Sequence, residues 1–437
     1  MYFNIKSNQI NFIYHFPICF IVLNYFQCRL MVILVTGLII FGFLHGKETM
    51  VDILNYLLNK GDTHRTLFHN KTTLDKDNKW QNTYGSSAID SEYLTFERTL
   101  HTNGILDEII DPRTKFIVYD CSKARKDQNG GWSDRIAGIM TTFIISVLSK
   151  RKFLINFDMP CLLQDYVMPA HYDWRYNASL LVNRTSSYHN FKNAKHRIIA
   201  KYMFDGVDFN RFFKDDVIFL QMNWDFIADF RKRPNVAEDI PWITTYHQVD
   251  IYKHIHNFLF KLSPLSVRAL HNFSTTQRRR KRIACAHIRR GNNPNMPKDV
   301  FRKALPLDPV WEVFDSLNKD EYDLFVASDS DSIKKKAKER FPDNIVDTPG
   351  KITHIDRPHT NDPTEGFLKQ LLDFYIMIDC DILIVPNHTG FSKLAAFIRN
   401  KNYGMYCQQE NNLVPCSRYT ITDIFPRGKF GIKPTKK

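Results

Sequence analysis

The chain has 437 residues, with 60 Lys and Arg against 46 Asp and Glu, a formal net charge of +14, and an isoelectric point near 9.2. Hydrophobic residues at 43% and charged residues at 24% exclude wholesale disorder, while 17 Gly, 19 Pro and 8 Cys exclude collagen-like, low-complexity and small disulfide-scaffold classes. The length fits two domains with extra segments, and the positive balance suits a nucleic acid, an anionic membrane face or a phosphorylated small substrate.

Between Lys6 and Lys47 the sole Lys, Arg, Asp or Glu is Arg29. Leu30 to Leu44 is an apolar run, shorter than the roughly 20 residues that span a bilayer but extendable through His45 and Gly46. With no amphipathic period to favour a buried core helix, residues 1–46 read as a secretory-pathway signal. It is either a signal-anchor or the apolar core of a cleaved signal peptide, and Met31 offers an internal start. Five N-x-[ST] acceptors, Asn70, Asn177, Asn183, Asn272 and Asn387, permit glycosylation. Six cysteines lie beyond the signal and allow up to three disulfides. Cys407 and Cys416 are close enough for a local loop, and Cys285 is either bridged or a buried thiol in a strand.

Residues 47–113 are polar with little sustained period and read as a stem or linker. From 114 the texture changes. KFIVYDC is a strand candidate, followed by a loop through Gly130, Gly131 and Asp134, and then by apolar residues at helical spacing from Ile136 to Leu148. KFLINFD closes a βαβ unit whose helix N-terminus can receive an anion. Residues 165–280 are aromatic and basic without a clear period, apart from a helical HQVDIYKHIHNFLFKLS. The basic run from Gln277 to Arg282 reads as a solvated segment before a strand rather than a nucleic-acid patch, since no recognition signature accompanies it. Lysines 334–338 are likewise read as solvated.

After it, RIACAHI, YDLFVASD, NIVD and ILIVP alternate with helical stretches, which predicts a doubly wound parallel sheet with ligands at the strands' carboxyl ends. The expected domains are therefore residues 114–278 and 279–437, with a cleft between them. At the first strand end stand His287, Arg289, Arg290 and Gly291. Arginine suits bidentate phosphate contact, and a glycine lets the chain turn beside a ligand. Asp329 and Asp331 follow the next strand. They either hold a divalent cation with a nucleotide diphosphate, or serve local backbone and the next helix's N-terminus. Thr389 and Gly390 precede a helix, again an anion-receptive end.

The order of HIRRGN, LFVASD and LLDFYIMIDCDILIVPNHTGFSKLA resembles the three peptide motifs of the GDP-fucose-dependent fucosyltransferase superfamily. That group holds α1,6-, α1,2- and protein O-fucosyltransferases, and the first motif is closest to nodulation fucosyltransferases. GGWSDRIAGI resembles that group's Gly-rich loop, and the resemblance covers about residues 114–410. It implies two Rossmann-like domains in a GT-B-like arrangement behind the N-terminal signal and stem. It also implies inverting transfer of fucose to a glycan or glycoprotein hydroxyl, with no metal or other cofactor, GDP-fucose being the donor substrate. Arg289 would grip the diphosphate and stabilise the leaving GDP; His287 and Asp373 would bind guanine. Thr389, Gly390, Gly130 and Gly131 would face the diphosphate, with Arg290 and Asp329 also on the donor side. Absence of a required metal favours the second role for Asp329 and Asp331. The expected setting is the Golgi or endoplasmic reticulum lumen, as a type II membrane protein or a secreted one, with no nucleic-acid partner.

One departure stands out. Where α1,6-type members carry a Glu soon after the arginines, this chain has no acid before Asp299. Asp299 and Asp134 are the candidate general bases, and a catalytically inactive sugar-nucleotide or glycan-binding module on the same fold is the alternative reading.

Overall fold

The computed structural model describes residues 96–100, 113–125, 130–192, 206, 208–291, 293, 296, 306–356, 362–387 and 389–421. All lie within the unit Asn78–Lys437. Residues 1–46, most of the expected stem, and Asp299 fall outside the described residues. Among those described, no helix is long and apolar enough to cross a membrane.

The first half begins with β1 (Phe116–Cys121), α1 (Trp132–Ser149) and β2 (Lys152–Phe157), then β3 (Val167–Pro169), β4 (Ser186–Asn190) and β5 (Val217–Gln221). Three short helical turns lead to α2 (Gln248–Leu259), β6 (Phe260–Leu262) and α3 (Pro264–Thr276). The FIVYDC run of β1 is buried along its whole length, as befits a central parallel strand with both faces covered. Alternate residues serve opposite faces: Ile117, Tyr119 and Cys121 join the main core, Phe116 and Val118 a smaller cluster with Leu154 and Val217. The sheet order is β2-β1-β5-β4, all parallel, so two strands from the aperiodic 165–280 region extend the single βαβ unit visible in the sequence. Residues 96–100, inside the expected stem, are helical, with Phe96 and Leu100 buried and the Phe96 ring 5.0 Å from that of Trp242.

The second half runs β7 (Arg282–Ile288), α4 (Leu307–Asp315), β8 (Tyr322–Ser328), α5 (Asp331–Arg340), β9 (Ile345–Val346), α6 (Thr364–Asp379), β10 (Ile382–Val385), α7 (Gly390–Ile398), β11 (Met405–Gln409) and β12 (Asn412–Cys416). The order is β12-β11-β10-β7-β8-β9, parallel except for the β11/β12 hairpin. Ala284, Ala286 and Ile288 of β7 face one apolar cluster with α4 and α5, while Ile283 and Cys285 face the other with α6 and α7. The chain leaves β7 toward β8 and β9, then returns through α6 to β10 on its other side. The strand order therefore reverses beside β7, where α/β sheets take their ligands.

One continuous apolar cluster joins the two halves. Trp132 meets Phe367 and Phe374 with ring centroids 6.0 and 6.1 Å apart, and Tyr252 meets Phe397 at 5.3 Å. Burying such rings contributes roughly 2–3 kcal/mol each, so the sheets are held by a shared core rather than by a polar hinge surface. Among the described residues two disulfides form, Cys285–Cys380 and Cys407–Cys416, and Cys121 and Cys161 are buried thiols. The basic run is less solvated than its sequence suggests. The main-chain amides of Arg279 and Arg280 donate to the fully buried Asp323 at 3.1 Å each, and the guanidinium of Arg278 lies 3.6 Å from it. An unpaired buried carboxylate is costly, which gives these arginines a structural use. Lys334, likewise expected in solvent, is half-buried and bonded to Asp347 at 2.6 Å.

Candidate functional site

At the reversal point a cavity of about 370 Å³ opens at the carboxyl ends of β7 and β8. His287 and Arg289 border it from β7, Asp329 from β8, Asp373 from α6, Thr389 and Gly390 from the start of α7, and Gly131 and Asp134 from the start of α1. Six of the expected donor-side residues, with Arg289, thus share one space. Neither Gly130 nor Arg290 lines it.

Arg289 and Asp329 form an ion pair of 2.8 Å, both largely buried. The same carboxylate accepts from the main-chain amides of Arg290 at 2.8 Å and Gly291 at 2.6 Å. Asp329 therefore fixes the turn after β7 and aims Arg289 at the cavity. Gly291 has φ +69°, a left-handed conformation that glycine adopts without steric cost. The strand's alternation explains Arg290: His287 and Arg289 share one face, and the next residue points the other way, into solvent. Of the two arginines expected on the ligand, only Arg289 reaches its wall. Asp331 opens α5 and accepts from Asn293 at 3.2 Å, the helix-end role foreseen for it. Among the described residues no three His, Cys, Asp or Glu side chains gather in a metal-binding cluster.

On α6, Asp373 is buried. Its Oδ1 accepts from the Thr348 hydroxyl and lies 3.6 Å from Lys369 Nζ. Lys369 is buried one helical turn before Asp373 and also donates to Asp347 at 3.0 Å and to the Thr348 carbonyl at 2.8 Å. Burial works against its charge, but the Asp373 and Asp347 carboxylates together outweigh burial and hold its pKa above the ordinary lysine value. Neighbouring Lys334 is shifted the other way, chiefly by burial. Gln370 lies between Lys369 and Asp373 in sequence and borders the cavity with them. Neither Lys369 nor Gln370 was singled out from the sequence. Their signal was the i, i+4 spacing of Lys369 and Asp373, which looks the same on a solvent-facing helix.

Two helix N-termini complete the walls. In α7 the Thr389 hydroxyl accepts from the Phe391 amide at 3.3 Å. At α1 the Gly131 amide donates to Asp134 at 2.8 Å; this candidate base is a helix cap. Gly130 has φ +82°, and a Cβ there would sit 2.5 Å from that carboxylate, so the turn requires glycine. The Gly130 amide donates to Asp356 at 2.9 Å, and Asp356 also pairs with the fully buried Arg135 at 2.9 Å. His287 is buried, with Nδ1 2.8 Å from the Ser392 hydroxyl. Helix N-termini carry partial positive charge and unsatisfied amides. Together with Arg289 they suit a polyanion, while Asp373 offers an acceptor to a ligand's N–H groups.

No protein family and no curated protein matches this chain. Among solved structures it is similar to an Arabidopsis thaliana FUT1 mutant in complex with GDP, with 12% identity, 76% of this chain and 83% of that chain covered, and a TM-score of 0.49. It is also similar to the fucosyltransferase NodZ from Bradyrhizobium, with 10% identity, 70% and 99% covered, and a TM-score of 0.44. A third match is a NodZ α-1,6-fucosyltransferase soaked with GDP-fucose, with 10% identity, 70% and 99% covered, and a TM-score of 0.42.

Proposed function

We propose that this chain is a glycosyltransferase moving fucose from GDP-fucose to a hydroxyl of a glycan or glycoprotein. The observation that carries this reading is the convergence of Arg289, His287, Asp373 and the Thr389–Gly390 helix start on one cavity at the reversal point of the second sheet. These are the residues on which the motif resemblance rests.

In the proposed inverting reaction the acceptor oxygen attacks the anomeric carbon of fucose on the face opposite GDP. The bond from that carbon to the diphosphate oxygen breaks, its electrons pass to GDP, and the acceptor's proton goes to a base. Arg289 and the α7 N-terminus would stabilise the negative charge that grows on the leaving diphosphate. Fixed donors of this kind, in a site that excludes water, stabilise developing charge more than the same groups would in water. Asp329, already holding Arg289 and two backbone amides, acts as a positioning residue. Asp299 is the proposed base. The two disulfides suit an oxidising compartment, in keeping with a lumenal enzyme behind an N-terminal membrane or signal segment.

A second reading, a sugar-nucleotide binder without activity, is favoured by one observation. The acids that line the cavity, Asp134, Asp329 and Asp373, are each engaged by protein donors. Turnover of GDP-fucose over a panel of glycan acceptors, with and without EDTA, separates the readings. Transfer that survives EDTA supports the metal-independent enzyme, GDP binding without transfer or hydrolysis supports the binder, and the absence of both from folded protein overturns the donor site itself.

A further inference from the structure

Resting on the transferase reading above, we propose that Arg125 is the centre of an acceptor subsite that takes the carboxylate or sulfate group of an acidic glycan. The first sheet has a reversal point of its own. The chain leaves β1 for β2 on one side, and β5 and β4 are added on the other, so a ligand is expected at the carboxyl ends of β1 and β5. Arg125 follows β1 and reaches across that place. Its guanidinium carbon lies 3.9 Å from the centre of the Tyr188 ring on β4 and 5.9 Å from that of Phe219 on β5.

The guanidinium is pinned on one edge and open on the other. Asp120, near the end of β1, is 1% exposed and accepts from Arg125 Nε at 2.6 Å. The same carboxylate accepts from Asn156 at 3.1 Å and from the Ser122 amide at 3.3 Å. The two terminal nitrogens of Arg125 have no hydrogen-bond partner among the described residues, and the side chain is 30% exposed. A planar fork held by a buried acid and stacked on an aromatic ring loses little freedom on binding, and it matches a pair of oxyanion oxygens. Arg289 and Asp329 repeat the arrangement at the reversal point of the second sheet. Each sheet thus presents an arginine pinned by a buried aspartate, and the second of these belongs to the donor. Arg125 does not border the donor cavity, whose wall in the first half starts at Gly131. Both residues stand on the β1–α1 connection, and the six steps of chain between them reach at most about 22 Å. An oligosaccharide covers that span, with its acidic group on Arg125 and its reacting hydroxyl at the donor.

The test is calorimetric titration of the full chain with two matched pairs: trigalacturonate against its methyl ester, and 6-sulfated N-acetyllactosamine against its unsulfated parent. It is run at 0.15 M salt, where charges are screened within about 8 Å, so that the chain's overall +14 does not create the preference. At least one acidic member is expected to bind about tenfold more tightly than its neutral partner, roughly 1.4 kcal/mol. Which pair shows the preference separates carboxylate from sulfate. Arg125→Gln is expected to remove it. Arg125→Lys, which keeps a cation beside Asp120 but lacks the fork, is expected to remove most of it. GDP titrated into all three proteins reports the donor site separately and is expected to bind each alike. Equal binding of acidic and neutral partners by the wild type, or a preference that survives in both variants, overturns the inference while the donor reading stands. Loss of GDP binding in both variants makes Arg125 a support of the fold, which overturns it as well. A wild type that takes the acidic glycan but not GDP removes the donor reading, and the acceptor role with it.

Discussion

The turn that forms the near wall of the cavity is tied to a buried ion pair, and replacing Asp356 with Asn should expose how much depends on it. Arg135 is fully buried, and its guanidinium spans the Asp356 carboxylate, the Gly130 carbonyl at 3.0 Å and the Met159 carbonyl. Two unit charges near 4 Å interact by about 4 kcal/mol at an effective dielectric of 20, and breaking a buried pair from one side costs about 3–5 kcal/mol because a charge is left behind. Two carbonyls remain on Arg135 in the variant, which places the expected loss near 3 kcal/mol. Urea unfolding of the wild type, Asp356→Asn, Arg135→Met and the double variant measures it. Each single change is expected to cost about 3 kcal/mol. The double variant should cost at least 2 kcal/mol less than their sum, since no orphaned charge remains. Single losses below 1 kcal/mol, or strict additivity, would refute the argument that this pair clamps the Gly130 turn.

Two further expectations concern stability. His256 is buried between the halves, 3.4 Å from the Tyr375 hydroxyl, and burial pushes its pKa down to about 4 from an ordinary 6.5. As pH falls below 6.5 the unfolded chain takes the proton and the folded one does not. Stability is thus intact above that pH and falls by about 3 kcal/mol on the way to pH 4. Unfolding midpoints of wild type and His256→Phe at pH 7 and 4.5 should show a shallower pH dependence in the variant, and equal slopes would contradict the assignment. The two disulfides close loops of very different length, with sequence separations of 95 and 9. On loop entropy, removing Cys285–Cys380 should cost about 2 kcal/mol more than removing Cys407–Cys416, read from thermal or urea midpoints of the two double-Ala variants.

How much of this was legible depended on whether the information was local. The strand RIACAHI with its HIRRGN end, the Asp329 strand and the TGF helix start are each contiguous, so their places at one sheet edge followed from the α/β rule. The β4 and β5 strands were hidden because SSYHN is polar and half-exposed, and VIFLQ is a short apolar run with no alternation to mark it. Arg290 was assigned with Arg289 because both follow the strand; the period of two, applied one residue further, separates them. Asp356 joins Arg135 across 221 positions, and no spacing rule reaches that far. Lys369 and Gln370 carry the polarity of a solvent-facing helix, and only the packing of α6 over the 351–354 loop turns them inward. There Gly366 leaves room for Thr353, whose hydroxyl would stand 2.1 Å from any Cβ.

The central claim is that Arg289 and its neighbours form a GDP-sugar site, and titration of GDP into wild-type protein and Arg289→Ala tests it most directly. A charge-assisted contact of this kind contributes about 1.5–3 kcal/mol. The wild type should therefore bind GDP, and the folded Arg289→Ala variant should bind it about 10- to 100-fold more weakly. A folded wild-type protein that does not bind GDP, or an Arg289→Ala variant that binds it equally well, would contradict the account.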